Sequence, residues 1–232
     1  VMSSVCDIMV VVAHPDDAEF GAAGSVAKWV ADGKSVVYVI CTSGDKGTSD
    51  RAMTSEKLGL IRQQEQQDAA RMLGVREVVF LGMEDQQLEE TPAFREEIVR
   101  LIRRFRPQIV LSSDPYRRYL WHRDHRIIGQ VVMDALFPYG RDHRAYPAML
   151  AEGLEPHKVS EVLFFGAEDV NYHIAISETF TQKVAALECH ASQVKELNVG
   201  DLSTWLRKRC ESMAEGSPFA LAEAFHRVKL PD

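Results

Sequence analysis

The sequence predicts a single-domain α/β fold in which helices cover both faces of a mainly parallel sheet. Short runs rich in β-branched residues alternate with longer amphipathic segments, which is the pattern of parallel strands joined by crossover helices. The short runs are apolar at nearly every position, as expected of strands buried on both faces. A chain of 232 residues is long enough to bury such a core without disulfide bonds.

The first half of the chain supplies four strand and helix pairs. The predicted strands are Cys6–Ala13, Ser35–Cys41, Val78–Leu81 and Ile109–Ser112. The predicted helices are Ala18–Ala31, Leu58–Leu73, Pro92–Phe105 and a helix from Asp124 to Leu136. The first two helices are followed by glycines, Gly33 and Gly74, and the third ends shortly before Pro107. Glycine and proline commonly follow the end of a helix. This order indicates a Rossmann-like arrangement.

The second half is less regular. We expect strands over Val162–Phe165 and Tyr172–Ile176. Helices are expected over Thr179–His190, Leu202–Met213 and Pro218–Val228. Two long polar stretches, Thr42–Lys57 and Phe137–Pro156, are predicted as loops whose roles the composition leaves open.

Composition and charge exclude several classes of protein. The net charge of −7, with acidic and basic residues interleaved, argues against a nucleic-acid partner bound through its phosphates. Four scattered cysteines without a Cys-x-x-Cys pair indicate a reduced, cytoplasmic protein rather than a disulfide scaffold. No apolar run reaches about 18 residues, so no membrane span is expected.

Polar side chains follow two of the predicted strands. His14, Asp16 and Asp17 come directly after the first strand, and a second cluster, Trp121–His125, follows the fourth. Because the carboxyl ends of parallel strands meet at one edge of the sheet, we expect the clusters to meet over one divalent metal. A catalytic zinc commonly has two imidazoles, one carboxylate and an open position. His14 and Asp17 fit this set together with His122 or His125. For either cluster taken alone, the alternative is a histidine that hydrogen-bonds to the backbone and binds no metal.

Asp16 adds a second carboxylate beside the predicted metal ligand. A carboxylate that does not bind the metal is free to accept a proton from the attacking water, as a general base must. The alternative is that Asp16 caps the helix that follows.

Four motifs together resemble the PIG-L/LmbE-like family of zinc-dependent de-N-acetylases. They are Ala13–Glu19, Arg62-x-x-Glu65, His122–His125 and the late Leu187-x-x-His190-Ala-Ser-Gln segment. The resemblance implies one deacetylase domain over residues 1–232 that removes acetyl from an N-acetylglucosaminyl conjugate. It also implies a set of residue roles, namely zinc ligands His14, Asp17 and His125, general base Asp16, and His122 oriented by Asp124. His122 would stabilise the tetrahedral intermediate or protonate the leaving amine, and a raised pKa is expected for an imidazole beside a carboxylate.

Four further residues are candidates for substrate contacts. The resemblance places Arg62 near the site, and Asp85 would accept hydroxyl groups of the sugar. Asp45 lies in a polar loop at a strand end, and His190 would approach from the late helix. Each has a plainer alternative, which for Arg62 is an ion pair with Glu65 and for His190 is simple packing. Asp85 precedes Gln86, where many members of the family have Gly.

Two other functions stay open on the same residues. The family also includes hydratases of unsaturated dicarboxylic acids, which would need a basic pocket built from Arg62, Arg117, Arg118 and Arg123. The second alternative function is a non-catalytic carbohydrate- or metal-binding protein.

The aromatic and basic run Tyr116–Trp121 forms either a wall for a sugar or charged aglycone, or a surface that covers the sheet edge. Fe(II) suits the ligand set as well as zinc does, and the resemblance implies a homo-oligomer.

Overall fold

The computed structural model describes residues 5–231, which form a single α/β domain. The strands are β1 (Ile8–Val12), β2 (Val36–Thr42), β3 (Glu77–Met83), β4 (Ile109–Ser113), β5 (Glu161–Phe165), β6 (Tyr172–Ala175) and β7 (Ala222–Lys229). The α-helices are α1 (Asp17–Ala31), α2 (Ser55–Leu73), α3 (Pro92–Phe105), α4 (Arg123–Asp134), α5 (Ala148–Ala151), α6 (Phe180–Glu188), α7 (Ala191–Leu197) and α8 (Leu202–Met213), and a π-helical segment, Ala135–Tyr139, follows α4.

All seven strands form one sheet in the order β3-β2-β1-β4-β5-β7-β6. Strands β1 to β5 are parallel, and β7 runs antiparallel between β5 and β6. The chain order reverses between β1 and β4, which lie side by side. Ligands of open α/β sheets bind in the crevice at such a switch point. The predicted fold class is confirmed, and both polar clusters follow the two strands that flank this crevice.

Helices cover both faces of the sheet, as the apolar strands predicted. Alternate residues of β1 point to opposite faces, so Val10 and Val12 pack with α1, α2, α6 and α8. Met9 and Val11 pack with α3 and α4 on the other face. This double coverage buries the carboxyl ends of β1 and β4 on both faces. Within residues 5–231, no helix has both the length and the apolar character needed to cross a membrane.

The prediction of a helix over Pro218–Val228 is wrong, because most of this segment lies in strand β7, Ala222–Lys229. Its Ala and Glu residues favour helices, but the segment fills the gap between β5 and β6, and both neighbours pair with its backbone. Its Phe225 is fully buried in the core. The predicted helix over Thr179–His190 ends at Glu188, and the separate helix α7 follows it.

Both long polar stretches are ordered by specific contacts. Helix α2 begins at Ser55, three residues before the predicted Leu58, since the Thr54 side chain accepts a hydrogen bond from the Lys57 N–H. In the Phe137–Pro156 stretch, the buried guanidinium of Arg103 donates to several backbone carbonyls, including that of Ala145. The second stretch is therefore an ordered excursion held by helix α3.

Candidate active site

The turn after β1 places three polar side chains at the edge of the sheet. The backbone N–H of His14 donates to Asp17 Oδ2 at 2.8 Å, which closes the turn before α1. Asp16 has a φ of 93°, in the left-handed region where a non-glycine residue is strained. Its backbone N–H donates to Gln66 Oε1 at 3.0 Å, so helix α2 holds this conformation. Asp16 occupies the N-cap position of α1, but its side chain makes no capping hydrogen bond.

His14, Asp17 and His125 bring their ligand atoms together. His14 Nδ1 lies 3.3 Å from His125 Nε2 and 3.4 Å from Asp17 Oδ2. His125 Nε2 lies 2.9 Å from Asp17 Oδ1. Tetrahedral ligands with bonds of about 2.0–2.1 Å are roughly 3.3–3.4 Å apart, so the triad fits a single ion of zinc's size.

The opposite nitrogen of His14 faces a second pair of carboxylates. His14 Nε2 lies 3.1 Å from Asp85 Oδ1 and 3.3 Å from Asp124 Oδ2. Each carboxylate also accepts backbone N–H groups, from Lys46 for Asp85 and from Gln86 for Asp124. Carboxylates in this position orient a ligating imidazole and raise its basicity.

Three overlapping groups around His14 have the spacing of metal ligands. Besides the triad, these are His14, His122 and His125, and His14, Asp85 and Asp124. Asp124 is fully buried, whereas the triad lines an open cavity of about 220 Å³ that also contains Asp16, Arg62, Asp85 and His122. A catalytic metal needs an accessible position for substrate, which disfavours the group that contains Asp124. Both the triad and the three histidines line the open cavity, and the triad supplies the carboxylate of the expected ligand set.

The electrostatics of the triad favour a cation. Burial by itself lowers the pKa of His14, but the hydrogen bonds with Asp124 and Asp17 outweigh it and hold this pKa well above its usual value. Burial raises the pKa of Asp17, yet the two histidines hold it well below its ordinary range. The carboxylate therefore stays ionised and able to ligate.

Asp16 stands apart from the ligands and has a distinct environment. Burial raises the pKa of Asp16 to about 6, while the Arg62 guanidinium opposes this rise. Arg62 Nη2 donates to Asp16 Oδ2 at 3.1 Å, and the rest of the guanidinium binds the carbonyls of Gly44 and Pro15. A carboxyl group with a pKa near neutrality suits a general base.

The structure corrects the predicted pairing of His122 with Asp124. The Asp124 carboxylate does not contact the His122 ring but faces His14. Instead, His122 Nδ1 accepts the backbone N–H of Asp124 at 3.1 Å and caps helix α4. A raised pKa was expected for His122, but burial and the neighbouring His14 and His125 lower it. Since Nδ1 accepts, the neutral ring carries its proton on Nε2.

The four predicted substrate residues fall in different places. Asp85 and Arg62 line the cavity, although the Arg62 guanidinium is occupied by Asp16 and two carbonyls, and Glu65 contacts Ser192 rather than Arg62. Asp45 is half-buried in the loop after β2 and is not part of the cavity wall. His190 is fully buried against Glu19, 3.1 Å away, so a direct substrate contact is not open to it.

Sequence reasoning missed Gln66, which completes a buried chain of polar groups behind Asp16. Gln66 accepts from the Asp16 N–H and donates to Glu19, whose other oxygen meets His190 Nε2. Gln193, on helix α7, lines the cavity and donates to the Gly47 carbonyl. The available signal was the spacing of Arg62 and Gln66, which lie one helical turn apart on the same face of α2.

The fold and the site together define a class of protein, an α/β enzyme with a candidate metal triad and a separate carboxylate at the switch point of its sheet. The chain belongs to the PIG-L family, because the family profile described as "GlcNAc-PI de-N-acetylase" matches residues 9–136, more than half of its length. The resemblance inferred from the motifs is thereby confirmed, and with it the class of de-N-acetylating enzymes.

Individual relatives agree with this membership. A diacetylchitobiose deacetylase from Thermococcus kodakarensis is 34% identical over 194 residues, covering 84% of this chain and 72% of the relative. The solved N,N'-diacetylchitobiose deacetylase from Pyrococcus horikoshii superposes with a TM-score of 0.90 at 26% identity, covering 96% of this chain and 84% of that one. A 4-carboxy-2-hydroxymuconate hydratase from Pseudomonas putida has a TM-score of 0.80 at 21% identity, covering 98% of each chain, and shares the fold.

Proposed function

We propose that this protein hydrolyses the acetamide of an N-acetylglucosaminyl conjugate. The observation that carries the proposal is the position of Asp16, a buried carboxylate that lines the same cavity as His14, Asp17 and His125 but lies outside their ligand set. The relative named a diacetylchitobiose deacetylase supports an N-acetylated amino sugar as substrate.

We propose His14, Asp17 and His125 as the ligands of a divalent metal, with zinc as the expected ion and Fe(II) as the alternative. The donor set of two imidazoles and a carboxylate supports this assignment but suits both ions. When bound, such an ion polarises a carbonyl group and lowers the pKa of water.

The remaining chemistry falls to residues of the chain. Asp16 accepts a proton as water adds its oxygen to the acetamide carbon, and Arg62 holds the carboxylate in place for this transfer. His122 donates its Nε2–H to the developing oxyanion as a neutral imidazole. When the C–N bond breaks, Asp16 returns the proton to the leaving nitrogen, which gives acetate and a primary amine.

Two carboxylates remain candidates for the sugar hydroxyls. Asp85 is held by the Lys46 N–H and by His14, and hydrogen bonding to His14 outweighs burial and lowers its pKa to about 2. It is therefore a fixed, ionised acceptor at the cavity wall. Asp45, on the loop after β2, is the second candidate, although it does not line the cavity that contains Asp16. Arg62 contributes by positioning Asp16.

The hydratase alternative has less support. A diacid would need several free guanidinium groups. Of the four arginines named for such a pocket, Arg118 pairs with Glu168, Arg123 with Glu89 and Arg62 with Asp16, which leaves Arg117 alone. The similarity to the solved hydratase structure supports a shared fold and does not support a shared reaction. A non-catalytic binding protein would not need the strained, buried carboxylate of Asp16.

The direct test is incubation with an N-acetylglucosamine glycoside and an assay for acetate and primary amine. We expect both products in equal amounts, loss of turnover on metal chelation, and recovery when zinc is returned. Addition of water to an unsaturated diacid without any amine release would support the hydratase instead. Elemental analysis of protein purified without added metal identifies the ion.

We also propose a cytoplasmic location and a homo-oligomeric state. The four cysteines are free, which is consistent with a reducing compartment. The edge strand β3 is only partly buried along its length, so a second copy of the chain has a surface to cover. Sedimentation of the purified protein measures the oligomeric state, and a monomer at all concentrations would contradict this part of the proposal.

A further inference from the structure

The peptide group between Pro15 and Asp16 is bound at both of its polar atoms by helix α2. The Pro15 carbonyl accepts a hydrogen bond from Arg62 Nη2 at 2.5 Å, and the Asp16 N–H donates to Gln66 Oε1 at 3.0 Å. Arg62 and Gln66 are one helical turn apart, so a single face of α2 supplies both partners. These two bonds together hold the plane of the peptide group in one orientation.

Rotation of this peptide group is the movement that would relieve the strain at Asp16. The φ of Asp16 is 93°, and turning the peptide over would change this angle to a negative value, which residues other than glycine prefer. The same rotation would turn the Pro15 carbonyl away from Arg62 and bring an N–H towards it. Because Arg62 also donates to Asp16 Oδ2, the carboxylate would lose the partner that orients it. Gln66 therefore opposes a relaxation that would release the proposed base.

The amide of Gln66 can hold Asp16 in only one orientation, and Glu19 fixes that orientation. A backbone N–H only donates, so Gln66 must present its Oε1 to Asp16 and its Nε2 to the other side. There, Nε2 donates to Glu19 Oε1 at 3.0 Å. Gln66 and Glu19 are both fully buried, so the amide would keep an unpaired, buried N–H group if the Glu19 carboxylate were absent.

His190 is the last member of this chain of hydrogen bonds. Its Nε2 lies 3.1 Å from Glu19 Oε2, and within residues 5–231 no hydrogen-bond partner reaches its Nδ1. His190 occupies the N-cap position of α7, but its side chain makes no capping hydrogen bond. Neither capping nor a substrate contact accounts for this fully buried ring, whereas contact with the Glu19 carboxylate does.

A separate pair of hydrogen bonds attaches α7 to α2. Glu65 accepts the backbone N–H of Ser192 at 2.7 Å and the Ser192 hydroxyl at 2.6 Å. This attachment does not involve the His190 ring. A substitution at His190 should therefore act through Glu19 while α7 stays attached.

We propose that three buried residues position the base Asp16 for catalysis, namely Gln66, Glu19 and His190. They keep the peptide group before Asp16 in the orientation in which Arg62 can bind the Asp16 carboxylate. The inference rests on the proposed deacetylase function and extends it to residues that do not line the cavity of Asp16. Because these residues act on the geometry of the base, their loss should lower kcat more than it raises KM.

The first test is Gln66→Met, which removes both hydrogen bonds of the amide and keeps a side chain of similar length. With an N-acetylglucosamine glycoside, kcat for amine release should fall at least roughly tenfold, which corresponds to about 1.4 kcal/mol. KM should change by less than about threefold, and the metal content should equal that of the wild type. Gln64→Met is the matched control, because Gln64 lies on the same helix, is exposed and donates to Asp68.

A double-mutant cycle separates positioning of Asp16 from a general structural effect. Gln66→Met is compared in the wild-type and Asp16→Asn backgrounds, using the residual rate of the latter. If Gln66 acts through Asp16, its substitution should change the residual rate by less than about twofold. A purely structural defect would lower both rates by the same factor.

Two substitutions at His190 test the far end of the chain without altering Gln66. His190→Leu removes the donor to Glu19, whereas His190→Gln can place an amide N–H close to the position of Nε2. We expect kcat to fall at least about fivefold in His190→Leu and most of this loss to be recovered in His190→Gln. Urea titration of each variant sets the conditions under which it stays folded during the assay.

The outcomes distinguish this inference from the function beneath it. Wild-type kcat in Gln66→Met, or an equal loss in both Asp16 backgrounds, would overturn the positioning role and leave deacetylation intact. Equal kcat values for His190→Leu and His190→Gln would overturn the role of the His190 donor. Absence of amine release by the wild-type enzyme would overturn the proposed function and this inference with it.

Discussion

The contact between Arg62 and Asp16 yields the sharpest prediction about the proposed base. Arg62 is 4% exposed and donates to Asp16 Oδ2 at 3.1 Å, to the Gly44 carbonyl at 2.6 Å and to the Pro15 carbonyl at 2.5 Å. The substitution Arg62→Lys retains a positive charge but replaces the planar fork with a single ammonium group. One ammonium cannot reproduce the divergent geometry of these three hydrogen bonds.

The magnitude follows from losing one hydrogen bond to a charged group. Such a bond contributes about 1.5–3 kcal/mol. If Asp16 is misplaced, we expect the transition state to lose stabilisation of this size. The predicted result is a fall in kcat of roughly 10- to 150-fold. Metal content should not change, since Arg62 does not contact His14, Asp17 or His125 in the described structure.

The assay is amine release over a range of substrate concentrations, together with metal analysis of the same samples. Arg71→Lys is the matched control, because Arg71 lies on the same helix, is exposed and pairs with Asp68. An Arg62→Lys enzyme with wild-type kcat would refute the positioning role. Loss of metal in this variant would show instead that Arg62 supports the ligands.

Two further predictions concern the buried polar groups near α1. Lys183 and Glu223 form a fully buried ion pair at 2.7 Å. Lys183→Met leaves the Glu223 carboxylate unpaired, so it should lower the free energy of unfolding, measured by urea titration, by about 3–5 kcal/mol. A change below about 1 kcal/mol would contradict this prediction. Burial lowers the pKa of His190, but Glu19 outweighs it and raises this pKa above 6.5. The resulting stability is present below pH 6.5 and is lost as pH rises through the raised value, so His190→Gln should remove this pH dependence. Equal pH dependence in both proteins would contradict it.

The convergence of the two clusters was predictable because it depends on topology. Polar residues that follow buried strands must lie at the carboxyl edge of a parallel sheet, and a crossover order brings β1 next to β4. The short distance between His14 Nδ1 and His125 Nε2, 3.3 Å, follows from this arrangement.

The orientation of side chains within the clusters was not predictable. The family resemblance implied that Asp124 orients His122, but the Asp124 carboxylate accepts backbone N–H groups of Gln86 and Leu88 and faces His14. These donors belong to the loop after β3, and their position is a consequence of tertiary packing. The strand β7 was missed for a similar reason, since pairing with its neighbours overrides the helical preference of its residues.

Metal stoichiometry in two variants tests the central claim most directly. Our account predicts that Asp16→Asn binds one ion per chain, as the wild type does, while its rate of amine release falls by about 10²–10⁴-fold. His125→Ala should lose most of the bound ion. Retention of a full ion by His125→Ala, or loss of the ion in Asp16→Asn, would contradict the division between a His14, Asp17 and His125 triad and a free base at Asp16.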